Sequence, residues 1–204
     1  MIGVLDYGVG NLASVCNMLR RAGGNPKIVK TNAEVMSSDK LLLPGVGHFD
    51  HGMKMLNASG LRDALDRYAL ELCRPVLGIC LGSQILGVGS EEGDALGLGW
   101  IDMVCHKLPA MSSIRVPHMG WNQISHIKRA PLFDEMDKDA RFYFVHSFYM
   151  SCNQSEDILA TTTHGIEFTC AVQKGNIMGT QFHPEKSLRH GLALMKSFVE
   201  MQHA

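Results

Sequence analysis

Residues 74–88, Arg-Pro-Val-Leu-Gly-Ile-Cys-Leu-Gly-Ser-Gln-Ile-Leu-Gly-Val, constrain the fold of this chain more than any other stretch. The short apolar run Val76-Leu77-Gly78-Ile79 predicts a buried strand, and an amphipathic helix is expected to begin at Leu81, directly after Cys80. Gly78 and Gly82 flank the cysteine at the two positions where a sharp strand-to-helix turn crowds a side chain. This is the pattern of a nucleophile elbow with cysteine in place of serine. Such a turn lifts the sulfur out of the sheet and sets it at the positive end of the following helix. A buried structural cysteine, the commoner use of this residue, fits the same letters. The elbow alone leaves both readings open.

A second stretch favours chemistry. Residues 177–182 read as a strand, and His183-Pro184-Glu185 stands at its end. A histidine there can act as base and acid toward Cys80, while Glu185 orients the imidazole and stabilises its cation. Pro184 fixes the backbone between them and stops the strand. His-Pro-Glu is a weak motif by itself, and the elbow gives it meaning.

The rest of the chain must bury that strand on both faces. Its 204 residues suit one domain, 1–204, and a hydrophobic content of 46% supplies the core. No apolar run reaches the ~18 residues of a membrane span. The start, Met-Ile-Gly-Val-Leu-Asp, lacks the basic stretch of a signal peptide, so a cytoplasmic location is expected. A net charge of −1 excludes the strongly basic footprint of a nucleic-acid binder. The cysteines at 16, 73, 80, 105, 152 and 170 form no Cys-x-x-Cys pair, which argues against structural zinc and suits reduced thiols.

Taken in order, residues 2–7 read as a strand, and a helix to about Ala22 carries Leu12, Val15, Leu19 and Ala22 on one face before a Gly23-Gly24 cap. Gly8-x-Gly10-x-x-Ala13 matches a dinucleotide fingerprint, but the next strand, Pro26–Val29, ends in Lys30-Thr31 without the expected acidic residue. A tight strand-to-helix turn explains those glycines better. Leu41-Leu42-Leu43 is a third strand running into Pro44-Gly45-Val46-Gly47. Glycines around Val46 let a backbone N–H turn out of strand geometry and join the Leu81 N–H as an oxyanion hole, and they make a flip of that loop physically plausible. His48 and His51 have a metal-compatible spacing without further ligands, so both are expected in a loop and no metal is expected. A helix over about 60–73 turns Leu61, Leu65, Ala69 and Leu72 inward.

This alternation of strand and helix implies a parallel sheet with helices on both faces. After the elbow the rhythm changes. Glu91-Glu92-Gly93-Asp94 reads as a solvated acidic loop, and short strands follow at 100–104, about 121–127, 141–149, 158–163, 167–173 and 176–182. These suggest hairpins added beside the core. A helix over roughly 187–202 places Leu188, Leu192, Met195 and Val199 on one face.

With Cys80, His183, Glu185 and the Pro44–Gly47 loop placed, the chain resembles the class I, or triad, glutamine amidotransferases. Within them it is most similar to the glutaminase subunits of imidazole glycerol phosphate synthase. The similarity runs through residues 6–12, 43–47, 78–82, Val116–Asn122, Tyr143–Ser147 and Gln181–Ser187, nearly the whole chain. The elbow and His-Pro-Glu belong to the whole class, whereas Pro-His-Met-Gly-Trp-Asn and Tyr-Phe-Val-His-Ser point to this branch. The resemblance implies a flavodoxin-like α/β fold with a largely parallel sheet and added antiparallel hairpins. It implies Cys80 as nucleophile, His183 as acid/base and Glu185 as its orienter, with oxyanion donors at Val46, Gly47 and Leu81.

The resemblance further implies that Gln84, Glu92 and the backbones at Gly45, His146 and Ser147 hold glutamine, which takes Glu92 out of the solvated loop. Trp121, Asn122, Tyr143 and Lys186 match positions facing a partner; as ordinary residues the aromatics would be core and the lysine a surface charge. The partner that the resemblance implies is a (β/α)₈ cyclase subunit in a heterodimer, taking ammonia for histidine biosynthesis, and no cofactor is expected. One departure is Ser83, where the family usually has methionine, and altered packing under the pocket is expected. Three other readings stay open. These are a paralogous glutaminase feeding another synthase, as in amidino-sugar synthesis for a surface polysaccharide, a partner-free cysteine hydrolase such as a peptidase, and a non-catalytic dinucleotide-binding module.

Overall fold

The computed structural model describes residues 1–110, 114–134, 136–137 and 139–202. Its first half runs β1 (Ile2–Leu5), α1 (Leu12–Arg21), β2 (Pro26–Val29), α2 (Asn32–Ser37), β3 (Lys40–Gly45), α3 (Phe49–Ala58), α4 (Arg62–Asp66), β4 (Val76–Cys80) and α5 (Leu81–Gln84). The second half is mostly strand: β5 (Gly89–Ser90), β6 (Met103–Lys107), β7 (His118–Gln123), β8 (Ser125–His126), β9 (Arg141–His146), β10 (Phe148–Cys152), β11 (Ile158–His164), β12 (Ile166–Lys174) and β13 (Ile177–Thr180), closed by α6 (Leu188–Glu200).

Strands β2, β1, β3, β4 and β13 lie side by side and all pair in parallel. Beyond β13 the sheet continues through β12, β10 and β6 by antiparallel pairing, with β5 at the edge; β11 packs on β12, and β7 and β9 form a separate antiparallel pair. A largely parallel sheet with added hairpins is therefore what the chain forms. Every residue of β1, β3, β4 and β13 is buried, which explains their unbroken apolar letters. Alternation along the strands divides the side chains between two cores. Val4, Leu42, Leu77 and Ile79 meet α1 and α6 through Val15, Leu19, Leu194 and Phe198. Leu5, Leu41, Leu43 and Val76 meet α3 and α4 through Phe49, Met53, Leu56 and Leu65.

Local signals start and stop the helices. Asn11 caps α1, and Gly23 at φ 85° ends it, with Gly23 N–H on Arg20 O and Gly24 N–H on Leu19 O, a Schellman pair. Gly8 and Gly10 both have positive φ, as a tight β1–α1 turn requires, and a Cβ on Gly10 would stand 3.1 Å from Pro44. Thr31 and Glu34 form a capping box on α2.

Several expectations need correction. His51 is not a loop residue but lies within α3, while His48 ends the preceding loop and caps that helix, its ring accepting from Asp50 N–H. The buried set Phe49, Gly52, Met53 and Leu56 carries the i, i+3, i+4, i+7 spacing that marks α3. The helix expected over 60–73 is α4 followed by a π-helical turn, Arg67–Glu71, so the phase shifts and Leu72 is exposed while Leu61, Leu65 and Ala69 are buried. The stretch 141–149 is two strands, β9 and β10, broken at Ser147. The strand placed at 100–104 is β6, because Trp100 is buried before it with its indole N–H on Asp66 at 2.6 Å. In α6 the buried face is Gly191, Leu194, Met195 and Phe198, while Leu188 is exposed. Among the described residues, no helix is long and apolar enough to cross a membrane.

Candidate active site

The site grows from the carboxyl ends of the central strands, where open α/β sheets bind ligands. Cys80 ends β4 with φ 53° and ψ −112°, a strained conformation for a residue with a side chain. Its glycine neighbours permit the strain. A Cβ on Gly78 would lie 2.5 Å from Gly82 O, and one on Gly82 would lie 1.8 Å from Leu43 O. No larger residue fits either place. The helix that follows is a single turn, Leu81–Gln84, not the longer amphipathic helix expected.

The histidine arrives by register. In the parallel ladder of β13 on β4, Thr180 pairs with Ile79, so the next residues of that segment run alongside Cys80. His183 N–H donates to Tyr143 O at 2.9 Å, and Ser187 Oγ donates to His183 O at 2.6 Å, which fixes the backbone. The His183 Nδ1–H donates to Glu185 Oε1 at 2.7 Å, with both side chains nearly closed off from solvent. Nε2 is left buried without a hydrogen-bond partner among the described residues and is the nitrogen available to the sulfur. Burial alone would lower the imidazole pKa. The contact with Cys80, the Glu185 hydrogen bond and the charges of both outweigh burial and bring it up to about 10. The arrangement is a cysteine–histidine–glutamate relay with its histidine holding a proton at neutral pH.

Cys80 and His183 open into a cavity of about 190 Å³ lined by Val46, Gly47, Gln84, Glu92, His146 and Ser147, with Val145 and Phe148. Drug-sized ligands occupy about 300–1,000 Å³, so this space suits a small metabolite. Of the residues expected to hold substrate, Gly45 alone is not on the wall; it sits behind, paired with Cys80 across β3 and β4. Leu81 is likewise buried beneath the elbow, and Gly47 carries φ 103°. Glu92 Oε2 accepts Phe49 N–H at 2.8 Å, so this carboxylate caps α3 from the cavity wall. Ser83 is fully buried with its hydroxyl on Met150 Sδ at 3.0 Å, and it does not line the cavity.

Two wall residues were missed from sequence, Val145 and Phe148, and so was Gln181. The Gln181 amide donates toward Cys80 Sγ at 3.8 Å and accepts from Gln84 Nε2 at 3.0 Å. Its sequence signal was its place two residues before His183, on the segment that carries the histidine.

Three of the four residues expected at a partner face lie together. Trp121 pairs with Tyr143 across β7 and β9, its half-exposed ring edge-on at 6.1 Å, and Lys186 Nζ sits 5.7 Å over the Tyr143 ring. Trp121 is thus not core. Asn122 turns its amide inward, donating to Thr163 O at 2.8 Å and to His118 Nε2 at 3.3 Å.

Comparison with known proteins agrees with this geometry. The family model for glutamine amidotransferase class-I matches residues 3–201. The chain is 49% identical to imidazole glycerol phosphate synthase subunit HisH 2 of Pseudomonas aeruginosa, over 98% of this chain and 100% of that protein. It is 46% identical to imidazole glycerol phosphate synthase subunit HisH of Leptospira interrogans, with the same coverage. Among solved structures, a glutamine amidotransferase crystal structure superposes with TM-score 0.75 at 20% identity, covering 98% of this chain and 97% of that one. PurLQS from Thermotoga maritima gives 0.74 at 18% identity, covering 97% and 94%. At such identities the structures speak to fold alone. The chain belongs to the class I glutamine amidotransferase family.

Proposed function

We infer that this chain is the glutaminase subunit of an imidazole glycerol phosphate synthase, releasing ammonia from glutamine for histidine biosynthesis. The observation that carries the chemistry is the Cys80–His183–Glu185 arrangement at one end of a small cavity. The names of relatives matched along nearly the whole chain carry the pathway and favour it over a different synthase.

In this reading Cys80, as a thiolate beside the protonated His183, attacks the side-chain amide carbon of glutamine. The tetrahedral oxyanion is held by N–H groups of Leu81 and of the Val46–Gly47 loop. His183 then protonates the departing nitrogen, the carbon–nitrogen bond breaks, and ammonia leaves a glutamyl thioester on Cys80. Water attacks the thioester as His183 takes its proton, and glutamate and the thiol are restored. Gln84, Glu92 and the backbones at His146 and Ser147, all on the cavity wall, hold the amino-acid end. Glu185 stabilises the imidazolium throughout.

Ammonia is nucleophilic only when neutral, and bulk water would protonate and dilute it. Delivery through a shared interface meets that requirement, and the Trp121, Tyr143 and Lys186 cluster is where a (β/α)₈ cyclase subunit would dock. The test is glutamate release by wild type and Cys80→Ala, with and without that cyclase. Turnover needing both Cys80 and the cyclase is expected. Cys80-dependent turnover indifferent to the cyclase would move the chain to another synthase, and none under either condition would sink the glutaminase reading.

A further inference from the structure

Behind the cavity wall at His146 lie two further histidines, His118 and His164, that the triad does not use. His118 on β7 and His146 at the end of β9 are buried and cross-strand partners, with His118 Nδ1 3.0 Å from His146 Nε2. His118 is clamped between Phe144 and His164, whose rings stack on it at 4.7 and 4.2 Å. His164 in turn is tied to Arg115 O at 2.8 Å.

Hydrogen-bond logic assigns the protons. The Phe148 carbonyl only accepts, so His146 Nδ1, 2.9 Å away, must carry the hydrogen. A neutral His146 then has a lone pair on Nε2, and His118 Nδ1–H donates to it. His118 Nε2 is left as the acceptor for the Asn122 amide at 3.3 Å. Each ring is satisfied with one proton, and none is available for a second.

The line continues to the nucleophile. Phe148 O also accepts Gln84 Nε2 at 3.1 Å, Gln84 reaches Gln181, and Gln181 reaches Cys80 Sγ. We propose that His118 is a positioning residue for the glutaminase reaction: by donating to His146 it locks that ring and the 145–148 wall of the cavity against Cys80. The proposal rests on the glutaminase reading above.

The physical need is clear from what surrounds His146. It faces His118 from β7, His164 from β11, the Phe148 carbonyl of β10, and His183; Cys80 and Glu92 line the same cavity. A second imidazolium here would oppose the proton His183 has to hold. Burial, with smaller repulsions from the neighbouring histidines, lowers the His146 pKa to about 3, and burial with His164 lowers that of His118 to about 4. Without the His118 donor, His146 Nε2 becomes a buried acceptor with nothing to satisfy it. It must then bind a proton or turn away from Phe148 O.

Nitrogen-15 NMR of the histidines in the unaltered chain tests the pairing directly. Both rings are expected neutral between about pH 5 and 8, with the His146 proton on Nδ1. Titration of either ring near the ordinary value, or a His146 proton on Nε2, would overturn the proposal. Kinetics with the cyclase present supply the second arm. His118→Phe keeps the stacking and loses the donor; kcat/KM for glutamate release should fall roughly tenfold at neutral pH and further as His146 protonates in acid. His118→Asn restores an uncharged donor at the same place and should recover most of the loss without the acid limb. A folded His118→Phe chain with the wild-type pH profile would refute the role. Absence of any Cys80-dependent glutamate release in wild type would remove the glutaminase reading and the catalytic part of this one together. The NMR arm would still decide the hydrogen-bonded pair.

Discussion

Gly45 and Cys80 are the last paired residues of strands β3 and β4, so the Val46–Gly47 loop and the Cys80 elbow leave the sheet from adjacent points. A Cβ on Gly45 would stand 2.6 Å from Gly82 N and 2.9 Å from Leu81 Cβ. The two loops are therefore one packed unit. Both need glycine for contact, while Gly47, at φ 103° with open space around it, needs glycine for conformation alone.

This separates two substitutions. Gly82→Ala drives a methyl into Leu43 O and should lower stability by about 1–3 kcal/mol or more, seen as reduced soluble yield and melting temperature. Gly47→Ala should cost only about 1–2 kcal/mol of backbone strain and leave a folded chain. Alanine keeps the N–H but disfavours the φ of 103°, so if this conformation presents an oxyanion donor, glutamate release falls by up to about 10²–10³-fold at saturating glutamine. Unchanged partner-stimulated turnover in Gly47→Ala would take the Val46–Gly47 loop out of the mechanism.

Glu185→Gln keeps the shape beside His183 and removes the charge. The His183 pKa should fall, and kcat should drop by up to about 10⁴-fold, since an amide cannot stabilise the imidazolium as a carboxylate does. Steady-state glutamate assays and histidine NMR read the two effects separately. A wild-type kcat would exclude Glu185 from the relay.

The raised His183 pKa also ties folding to pH. A group whose pKa rises on folding, here from 6.5 to about 10, stabilises the fold fully below the lower value, and the contribution is lost as pH rises through the upper one. Wild type should therefore lose stability between about pH 7 and about pH 9.5, while Cys80→Ala, lacking the sulfur that raises this pKa, should lose less. Melting curves of both proteins across that window check the sign. Parallel curves would show that the pair does not carry the proton.

Trp121→Ala addresses the partner. The ring is half-exposed and packs edge-on against Tyr143, so folding should barely change. If the cyclase docks on this ring, its loss should weaken binding by about 2 kcal/mol, roughly thirtyfold in Kd. Calorimetric titration with the cyclase would show it, and an unchanged Kd would place the interface elsewhere.

The parts of this protein legible in its letters are those whose physics is local. Gly78, Cys80 and Gly82 announce the elbow because steric crowding acts within a few residues. The apolar runs at Val76–Cys80 and Lys40–Gly45 announce buried strands because burial on both faces removes alternation. Even α3 is legible, in the i, i+3, i+4, i+7 spacing of Phe49, Gly52, Met53 and Leu56.

Tertiary structure decided what depends on register between distant strands. The place of Gln181 two residues before His183 puts it on the right segment, but that its amide reaches Cys80 follows only from the pairing of Thr180 with Ile79. Nothing near His118 says that it donates to His146; that follows from the antiparallel match of β7 with β9. The inward face of α6 likewise comes from where the helix docks, which moved burial from Leu188 to Leu194 and Phe198. Side-chain periodicity and turn sterics are properties of one segment, whereas a hydrogen bond between two strands requires the relative offset that only the assembled sheet sets.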